Sequence, residues 1–324
     1  MTAIETSGLS KRYGDVTAVS DLDLEVKDGS VFGFLGPNGA GKSTTINVLL
    51  GFLWPTDGSV SVLGRDPTTD AKAVRSRIGL LPDGFKPYRN LTGRQHVISA
   101  MQTKRGDDDP DAILERVGLS PEQARRAAGG YSKGMTQRLA LGIALVGDPD
   151  LLILDEPSSG LDPNGVKLLR QVIREENDRG ATVFVSSHIL DHVERVCDRI
   201  GIMRSGSLVT TDTIETLRER SGASVVEATV DSVPEMAALR NVEGVTDASV
   251  SGDTVRVTCA RQAAKTRVLV RLDELTTVRN VETTDTSLET LFAELTDEDG
   301  AFDGGGRSDE KPPAEIASEG GERR

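Results

Sequence analysis

The sequence predicts an α/β fold: a parallel β-sheet flanked by helices, with an antiparallel β lobe, an inserted helical lobe and a small α+β domain behind it. Three observations support this class. Apolar runs alternate with amphipathic stretches over residues 1–220, the rhythm of a parallel sheet with crossover helices. Helix signals interrupt that rhythm at about 90–130. From about residue 221 the pattern becomes strand, helix, strand, strand, helix, strand.

The strands of the first 220 residues are of two kinds. Residues 22–26 alternate apolar and acidic side chains, and Asp28-Gly29 follows as a turn, which predicts an antiparallel sheet with one solvent-facing side. Four continuous apolar runs instead predict strands that are buried on both faces of a parallel sheet. These runs are residues 31–35, 78–81, 151–154 and 182–185.

The helical lobe and the last third of the chain follow from local signals. Thr92 caps a predicted helix that extends to about Lys104, and two further helices are expected over 111–117 and 121–128. The later segments predict a ferredoxin-like βαββαβ domain. Its strands are 225–230, 245–250, 254–259 and 277–283, and its helices are 234–241 and 262–273.

The C-terminal end of the chain divides into a helix and a tail. A last helix, 288–295, completes an accessory domain over 221–296. The tail, 297–324, holds nine acidic residues, four basic residues and six glycines. Such a segment buries too little apolar surface to offset its ordering entropy, so we expect it to be disordered.

Composition excludes several functions. Thirty-eight basic against fifty-one acidic residues give a net charge of −13, which opposes nonspecific nucleic-acid binding. No stretch approaches the ~18–20 apolar residues that span a membrane, and the N-terminus lacks signal-peptide features. The two cysteines have no companions at metal-ligand spacing. We therefore expect a cytoplasmic chain whose membrane role comes through a partner.

The strand over 31–35 leads into a G-x-x-x-x-G-K-S segment, and an apolar-periodic helix, 44–52, follows. Glycines let backbone N–H groups cradle phosphates, and the helix N-terminus adds its positive dipole. We expect Lys42 to reach the β- and γ-phosphates and Ser43 to bind Mg²⁺. The predicted nucleotide-binding residues are Gly36, Pro37, Asn38, Gly39, Ala40, Gly41, Lys42, Ser43 and Thr44.

Two acidic residues end the apolar strand over 151–154. Asp155 is predicted at the carboxyl edge of the sheet beside the phosphate loop, where it can hold the metal directly or through water. Glu156 can polarise an attacking water as a general base. Without the neighbouring phosphate loop, either acidic residue could instead be a solvated side chain that ends a strand.

The segment Tyr131-Ser-Lys-Gly-Met-Thr-Gln-Arg138 resembles the signature segment of ABC transporter ATPases, in the branch that serves ABC-2-type exporters. Ser132 and Gly134 match the family's serine and second glycine, whereas Lys133 and Met135 replace its usual glycine and glutamine. The resemblance covers residues 2 to about 215. It implies a P-loop NTPase core of the ABC ATPase type over residues 1–220 that uses ATP and Mg²⁺.

The resemblance also implies roles for further residues. Tyr13 corresponds to the adenine-stacking aromatic, Asp162 in Ser159-Gly-Leu-Asp162 to the D-loop, and His188 to the switch histidine that contacts the γ-phosphate. Asp83 stands where the family has glutamine or glutamate; its shorter side chain can accept a metal-bound water, and the alternative is a solvated loop acid. In this family the signature serine faces the phosphate loop of a second protomer, so two ATP lie within a homodimer.

The predicted function is an ATP-hydrolysing subunit of an ABC transporter. It is expected to power ABC-2-type export through a separately encoded permease at the inner face of the cell membrane. The alternative is a soluble ABC ATPase that acts on ribosomes or DNA. For the last domain, effector binding, dimer stabilisation and packing on the core all remain open. His96 and His192 fall on predicted helices, where we expect them to be solvated.

Overall fold

The computed structural model describes residues 1–104, 106–221, 224–260 and 262–285, together with Phe292 and Leu295. These residues form thirteen strands in three sheets. The strands are β1 Thr2–Tyr13, β2 Val16–Lys27, β3 Val31–Leu35, β4 Asp57–Val62, β5 Ile78–Leu81, β6 Leu151–Asp155, β7 Thr182–Ser187, β8 Arg199–Arg204, β9 Ser207–Thr213, β10 Ser224–Val230, β11 Val245–Ser251, β12 Thr254–Cys259 and β13 Val278–Asp285.

The helices connect and cover these sheets, and none in the described ranges is long and apolar enough to span a membrane. A short 3₁₀ helix, Ala128–Gly130, precedes α6. The α-helices are α1 Lys42–Leu49, α2 Ala71–Arg75, α3 Gly93–Lys104, α4 Pro110–Arg116, α5 Pro121–Ala124, α6 Lys133–Leu145, α7 Pro163–Asp178, α8 Leu190–Glu194, α9 Ile214–Ser221, α10 Met236–Arg240 and α11 Gln262–Leu275.

The main sheet has six strands in the order β5-β6-β7-β3-β8-β9. The first five are parallel to their neighbours, and β9 runs antiparallel to β8. Leu35 pairs with Ser187, and Asp155 pairs with Ser186. The carboxyl ends of β3, β5, β6 and β7 therefore meet at one edge of the sheet, where the predicted site residues follow each strand.

Both faces of the main sheet are buried, as the apolar runs predict. Alternate side chains of β6 enter different cores: Leu152 and Leu154 pack with the helices, whereas Leu151 and Ile153 pack with the antiparallel lobe. This burial on both faces explains why β6 is continuously apolar rather than alternating.

The antiparallel lobe is a three-stranded sheet in the order β2-β1-β4. Its β2 strand alternates buried and exposed residues over 22–26, so the predicted antiparallel sheet is confirmed. Strand β4 was not predicted because its sequence, Asp-Gly-Ser-Val-Ser-Val, has only two apolar side chains. Pairing with β1 along Ile4–Ser7 supplies the stabilisation that its own sequence lacks.

The helical lobe contains the three predicted helices, but the helix expected over 121–128 ends at Ala124, and one histidine differs from expectation. His96 on α3 is buried rather than solvated. Its Nδ1 lies 2.8 Å from the carbonyl oxygen of Thr92, and the backbone N–H of Tyr88 donates to its Nε2 at 3.0 Å. The ring thus connects α3 to the preceding loop, a use that helical position alone does not reveal.

The third sheet has the order β11-β12-β10-β13, with all neighbours antiparallel. The predicted βαββαβ order is observed. Apolar side chains of α11 pack on this sheet and form with it a separate hydrophobic cluster. Of the predicted helix 288–295, only Phe292 and Leu295 are described, and both pack against the core on the helical side of the main sheet. The predicted tail, 297–324, lies outside the described residues.

Helix α6 approaches the main sheet closely at Gly79 in β5. A Cβ added at Gly79 would lie 2.2 Å from the carbonyl oxygen of Ala144, near the end of α6. No side chain fits at that distance, so glycine permits the helix to pack directly on the strand. This contact fixes the position of α6, whose N-terminus carries the signature segment.

We predict that Gly79→Ala lowers the free energy of unfolding by about 1–3 kcal/mol, because the added methyl forces α6 from the sheet. Urea unfolding measures this change. Gly130→Ala is the control, since its added Cβ meets nothing nearer than Arg126 at 3.7 Å; it should stay within about 0.5 kcal/mol of wild type. Equal stability of the two variants would contradict the packing argument.

Candidate active site

The phosphate loop joins the end of β3 to the start of α1. Gly41 precedes the helix with a φ of 105°, a conformation that side chains disfavour. A Cβ on Gly41 would also lie 2.5 Å from the carbonyl oxygen of Ala18. The loop therefore requires glycine at this position both for its turn and for its contact with the antiparallel lobe.

Lys42 is the cation of the loop and is 6% exposed. Its Nζ donates to the carbonyl oxygens of Gly36 at 2.6 Å and of Pro37 at 3.2 Å. Nζ also lies 3.6 Å from Oε1 of Glu156. The side chain is thus held across the loop beside an acidic partner, and its charge faces the position where phosphates bind in such loops.

Asp155, at the end of β6, is a buried carboxylate. The hydroxyl of Ser43 donates to its Oδ2 at 3.2 Å, and the hydroxyl of Ser186 donates to its Oδ1. Burial raises the pKa of Asp155, as do the charges of Asp83 and Glu156, while the two serine hydrogen bonds act in the opposite direction. A nearby cation would stabilise the ionised carboxylate.

Glu156 follows directly and turns the chain out of the sheet. Its φ is 48°, in the left-handed region that non-glycine residues seldom adopt. Its N–H lies 3.2 Å from both the carbonyl and the hydroxyl oxygen of Ser186. Its Oε2 lies 2.9 Å from Nδ1 of His188, the residue after β7. A carboxylate, a lysine and a histidine therefore share one network.

A polar cleft of about 180 Å³ opens beside this network. Oxygen ligands suit Mg²⁺, and the Ser43 hydroxyl and Asp155 carboxylate supply two of them side by side, so these residues fit the ion. Asp83 follows β5 and shares this cleft. The lining residues are Ala18, Asn38, Gly39, Gly41, Lys42, Ser43, Thr44, Asp83 and Glu156.

The signature residues and Asp162 form a second group. Ser132 is exposed and caps α6, with its Oγ accepting the N–H of Met135 at 3.2 Å. Asp162 caps α7 and lies 3.5 Å from the guanidinium of Arg138 on α6. A Cβ on Gly134 would lie 3.3 Å from the carbonyl of Gly160. This group is not part of the described cleft lining.

Tyr13 lies apart from both groups, at the hairpin between β1 and β2, where it pairs with Val16. Its ring is 47% exposed, and Nζ of Lys11 lies 5.2 Å from the ring centroid. The ammonium group of Lys11 thus lies over one face of the Tyr13 ring, while much of the residue is exposed to solvent. The exposed ring could stack on a planar ligand.

Three functional contacts were missed from the sequence. Ser186 bonds Asp155 and Glu156, and the side chain of Gln137 bonds the backbone after β6. His192 is partly buried rather than fully solvated as expected: its Nδ1 lies 2.6 Å from Oγ of Ser158, and burial lowers its pKa. The Ser186 contacts could have been predicted from its position at the end of an apolar strand. The contacts of Gln137 and His192 depend on tertiary packing, which the sequence pattern does not show.

Comparison with known proteins identifies the family. A family model described as ABC transporter matches residues 19–159. The bacitracin transport ATP-binding protein BcrA of Bacillus licheniformis is 40% identical over 226 residues, which cover 68% of this chain and 72% of that protein. The chain belongs to the ABC transporter ATP-binding proteins. The linearmycin resistance ATP-binding protein LnrL of Bacillus subtilis is 31% identical over 305 residues, or 90% of this chain and 98% of that protein.

A solved structure agrees with this assignment. The ATP-binding subunit of an ABC transporter superposes with a TM-score of 0.61 at 30% identity, covering 67% of this chain and 92% of that one. The predicted ABC ATPase core is therefore confirmed. As an ABC transporter ATP-binding protein, the chain is an ATPase, and the cleft beside Lys42 and Glu156 lies at the loop between β3 and α1.

We predict that Asp155→Asn becomes more stable relative to wild type as pH rises. The folded chain holds the Asp155 proton to higher pH than the unfolded chain, so wild-type stability falls as pH rises from the ordinary aspartate pKa through the raised one. Asparagine does not titrate. Urea unfolding of the nucleotide-free chains at about pH 4.5 and about pH 8 measures the difference; an equal difference at both would contradict the burial effect.

Proposed function

We propose that this chain powers ABC-2-type export as a homodimer bound to a separately encoded permease at the inner face of the cell membrane. Closure around two ATP drives the permease, and hydrolysis resets it. The relatives named for bacitracin transport and linearmycin resistance support a role in export. The transported molecule contacts the permease, so these residues do not select it.

One observation carries this proposal: the hydrogen-bonded network at the carboxyl edge of the main sheet. It joins the ends of three neighbouring strands, because Lys42 follows β3, Asp155 ends β6 with Glu156 directly after it, and His188 follows β7. The lysine, the two carboxylates and the histidine lie together at the phosphate loop, and this arrangement supports a role in phosphoryl transfer.

Each residue has a chemical role in this proposal. Lys42 balances phosphate charge, and Ser43 and Asp155 hold Mg²⁺, which neutralises charge developing on the phosphates when bound. Glu156 orients the attacking water and accepts its proton. His188 donates to the γ-phosphate, its ring oriented by the Nδ1 contact with Glu156. Asp83 lines the same cleft, where its carboxylate would accept a hydrogen bond from water held by the ion.

The second group of residues serves the partner's nucleotide. Ser132 is exposed at the N-terminus of α6, where the helix dipole and free N–H groups favour an anion. Gly134 allows close approach beside it, and Asp162 begins the next helix. Their separation from the Lys42 cleft is consistent with a site completed by two chains. Tyr13 stacks on the adenine.

A soluble ABC ATPase acting on ribosomes or DNA is the alternative. Such proteins usually carry two cassettes or a long coiled-coil insertion, and this sequence shows one phosphate loop and no heptad run. The net charge of −13 also opposes binding to nucleic acid. The named transport and resistance relatives support the transporter function instead.

The proposed division of the chain is an ATPase domain over 1–220, with a helical lobe at about 90–130, and an accessory domain over 221–296. The separate apolar cluster of the four-stranded sheet supports this division. Packing of Phe292 and Leu295 on the ATPase core favours a packing or dimer-stabilising role for the accessory domain over effector binding.

We predict that Glu156→Gln binds ATP normally but loses at least about 100-fold in turnover, because the amide cannot accept the water's proton. The variant should accumulate as an ATP-bound dimer in size-exclusion chromatography. Glu25→Gln removes one negative charge from an exposed position on β2 and should hydrolyse ATP as wild type does. Normal hydrolysis by Glu156→Gln would refute the role of this carboxylate.

The partner is tested by affinity isolation of tagged Glu156→Gln with ATP from detergent-solubilised native membranes. We predict that a polytopic membrane protein co-purifies in stoichiometric amount, because the ATP-bound dimer engages its permease. An untagged chain is the control. Ribosomal or DNA-bound partners without a membrane protein would leave the ATPase chemistry intact and overturn the transport proposal.

A further inference from the structure

Gln137 is a buried polar residue on α6 to which the nucleotide chemistry above gives no role. Its Nε2 donates to the carbonyl oxygen of Pro157 at 3.0 Å and approaches that of Glu156 at 3.4 Å. The side chain is 8% exposed. The shorter of these contacts is buried, so removing the amide donor would take a hydrogen-bond partner from the carbonyl of Pro157 away from water.

These contacts act on a residue whose backbone conformation is unfavourable. Glu156 has its φ of 48°, which costs an L-residue free energy unless the surroundings hold it. Ser186 holds the N–H side of Glu156, while Gln137 and the backbone N–H of Ser159, at 3.1 Å, contact its carbonyl. The direction of the Glu156 carboxylate therefore depends on a contact from α6 as well as on strand β7.

Helix α6 also begins at the signature segment. Ser132 is its N-cap, and Gln137 lies about one and a half turns further along the same helix. Because α6 is one continuous helix from its Ser132 cap to Leu145, Ser132 and Gln137 lie on the same rigid element. Gln137 therefore links the signature end of this helix to the backbone at Glu156 and Pro157.

We propose that Gln137 is a positioning residue that ties the catalytic carboxylate of Glu156 to the signature helix. This inference rests on the proposed function, in which the signature end of α6 contacts the nucleotide bound by the partner protomer. Through Gln137, engagement of that nucleotide sets the direction of Glu156 in the first protomer.

The test uses two variants of the full-length chain that remove the Nε2 donor in different ways. Gln137→Met keeps the length of the side chain without polar atoms, and Gln137→Glu keeps its shape but offers no N–H. Gln171→Met is the matched control, because Gln171 on α7 donates to Glu175 on its own helix. Glu156→Gln is measured beside them, so that failure of the proposed function is recognised separately.

We expect both Gln137 variants to lose at least about tenfold in kcat, since a small misplacement of a catalytic group has effects of this size. The KM for ATP should stay within about twofold of wild type, because the nucleotide contacts are retained. Both variants should accumulate as ATP-bound dimers, as Glu156→Gln does. Gln171→Met should match wild type in kcat and in dimer content.

A purely structural role predicts a different pattern. Loss of ATP affinity or of the ATP-bound dimer together with kcat would show that Gln137 supports the whole helix, and would overturn the proposal. Wild-type kcat in either folded variant would also overturn it, as would failure of both variants to fold. If Glu156→Gln is inactive and trapped while the Gln137 variants turn over normally, the inference fails and the proposed function stands.

Discussion

The site depends on one buried carboxylate that joins three parts of the chain. Asp155 ends strand β6 and accepts hydrogen bonds from the hydroxyl groups of Ser43, at the start of α1, and of Ser186, at the end of β7. Because the strands are parallel, their carboxyl ends meet, and the carboxylate links neighbours that are far apart in sequence. Its burial has an electrostatic cost, visible in its raised pKa, and a bound cation would offset that cost.

At the next residue, Glu156, an unfavourable backbone conformation places the carboxylate in the site. Glu156 leaves the strand in a left-handed conformation, and its carboxylate lies between Lys42 and His188. Extended backbone would continue the strand instead. Hydrogen bonds to the N–H and to the carbonyl of Glu156 hold this unfavourable φ. The position of its carboxylate in the site therefore depends on those backbone hydrogen bonds.

The sequence predicted the features that depend on local pattern and missed those that depend on packing. Apolar runs identified the strands around Asp155, and glycine spacing identified the loop that holds Lys42. Strand β4 was missed because its stabilisation comes from pairing with β1 rather than from its own residues. His96 and His192 were expected in solvent, since helical position does not show which ring nitrogens meet a neighbouring loop. The contacts of Gln137 likewise require the packed helix.

The packing of Phe292 and Leu295 on the ATPase core has a consequence for how the chain is made. These two residues lie at the end of the accessory domain in sequence, yet they cover apolar side chains of the ATPase core. During synthesis the first domain emerges with this patch uncovered, and the patch is covered only after the accessory domain has also left the ribosome. Completion of the ATPase core is therefore a late event in biosynthesis, coupled to translation of nearly the whole described chain.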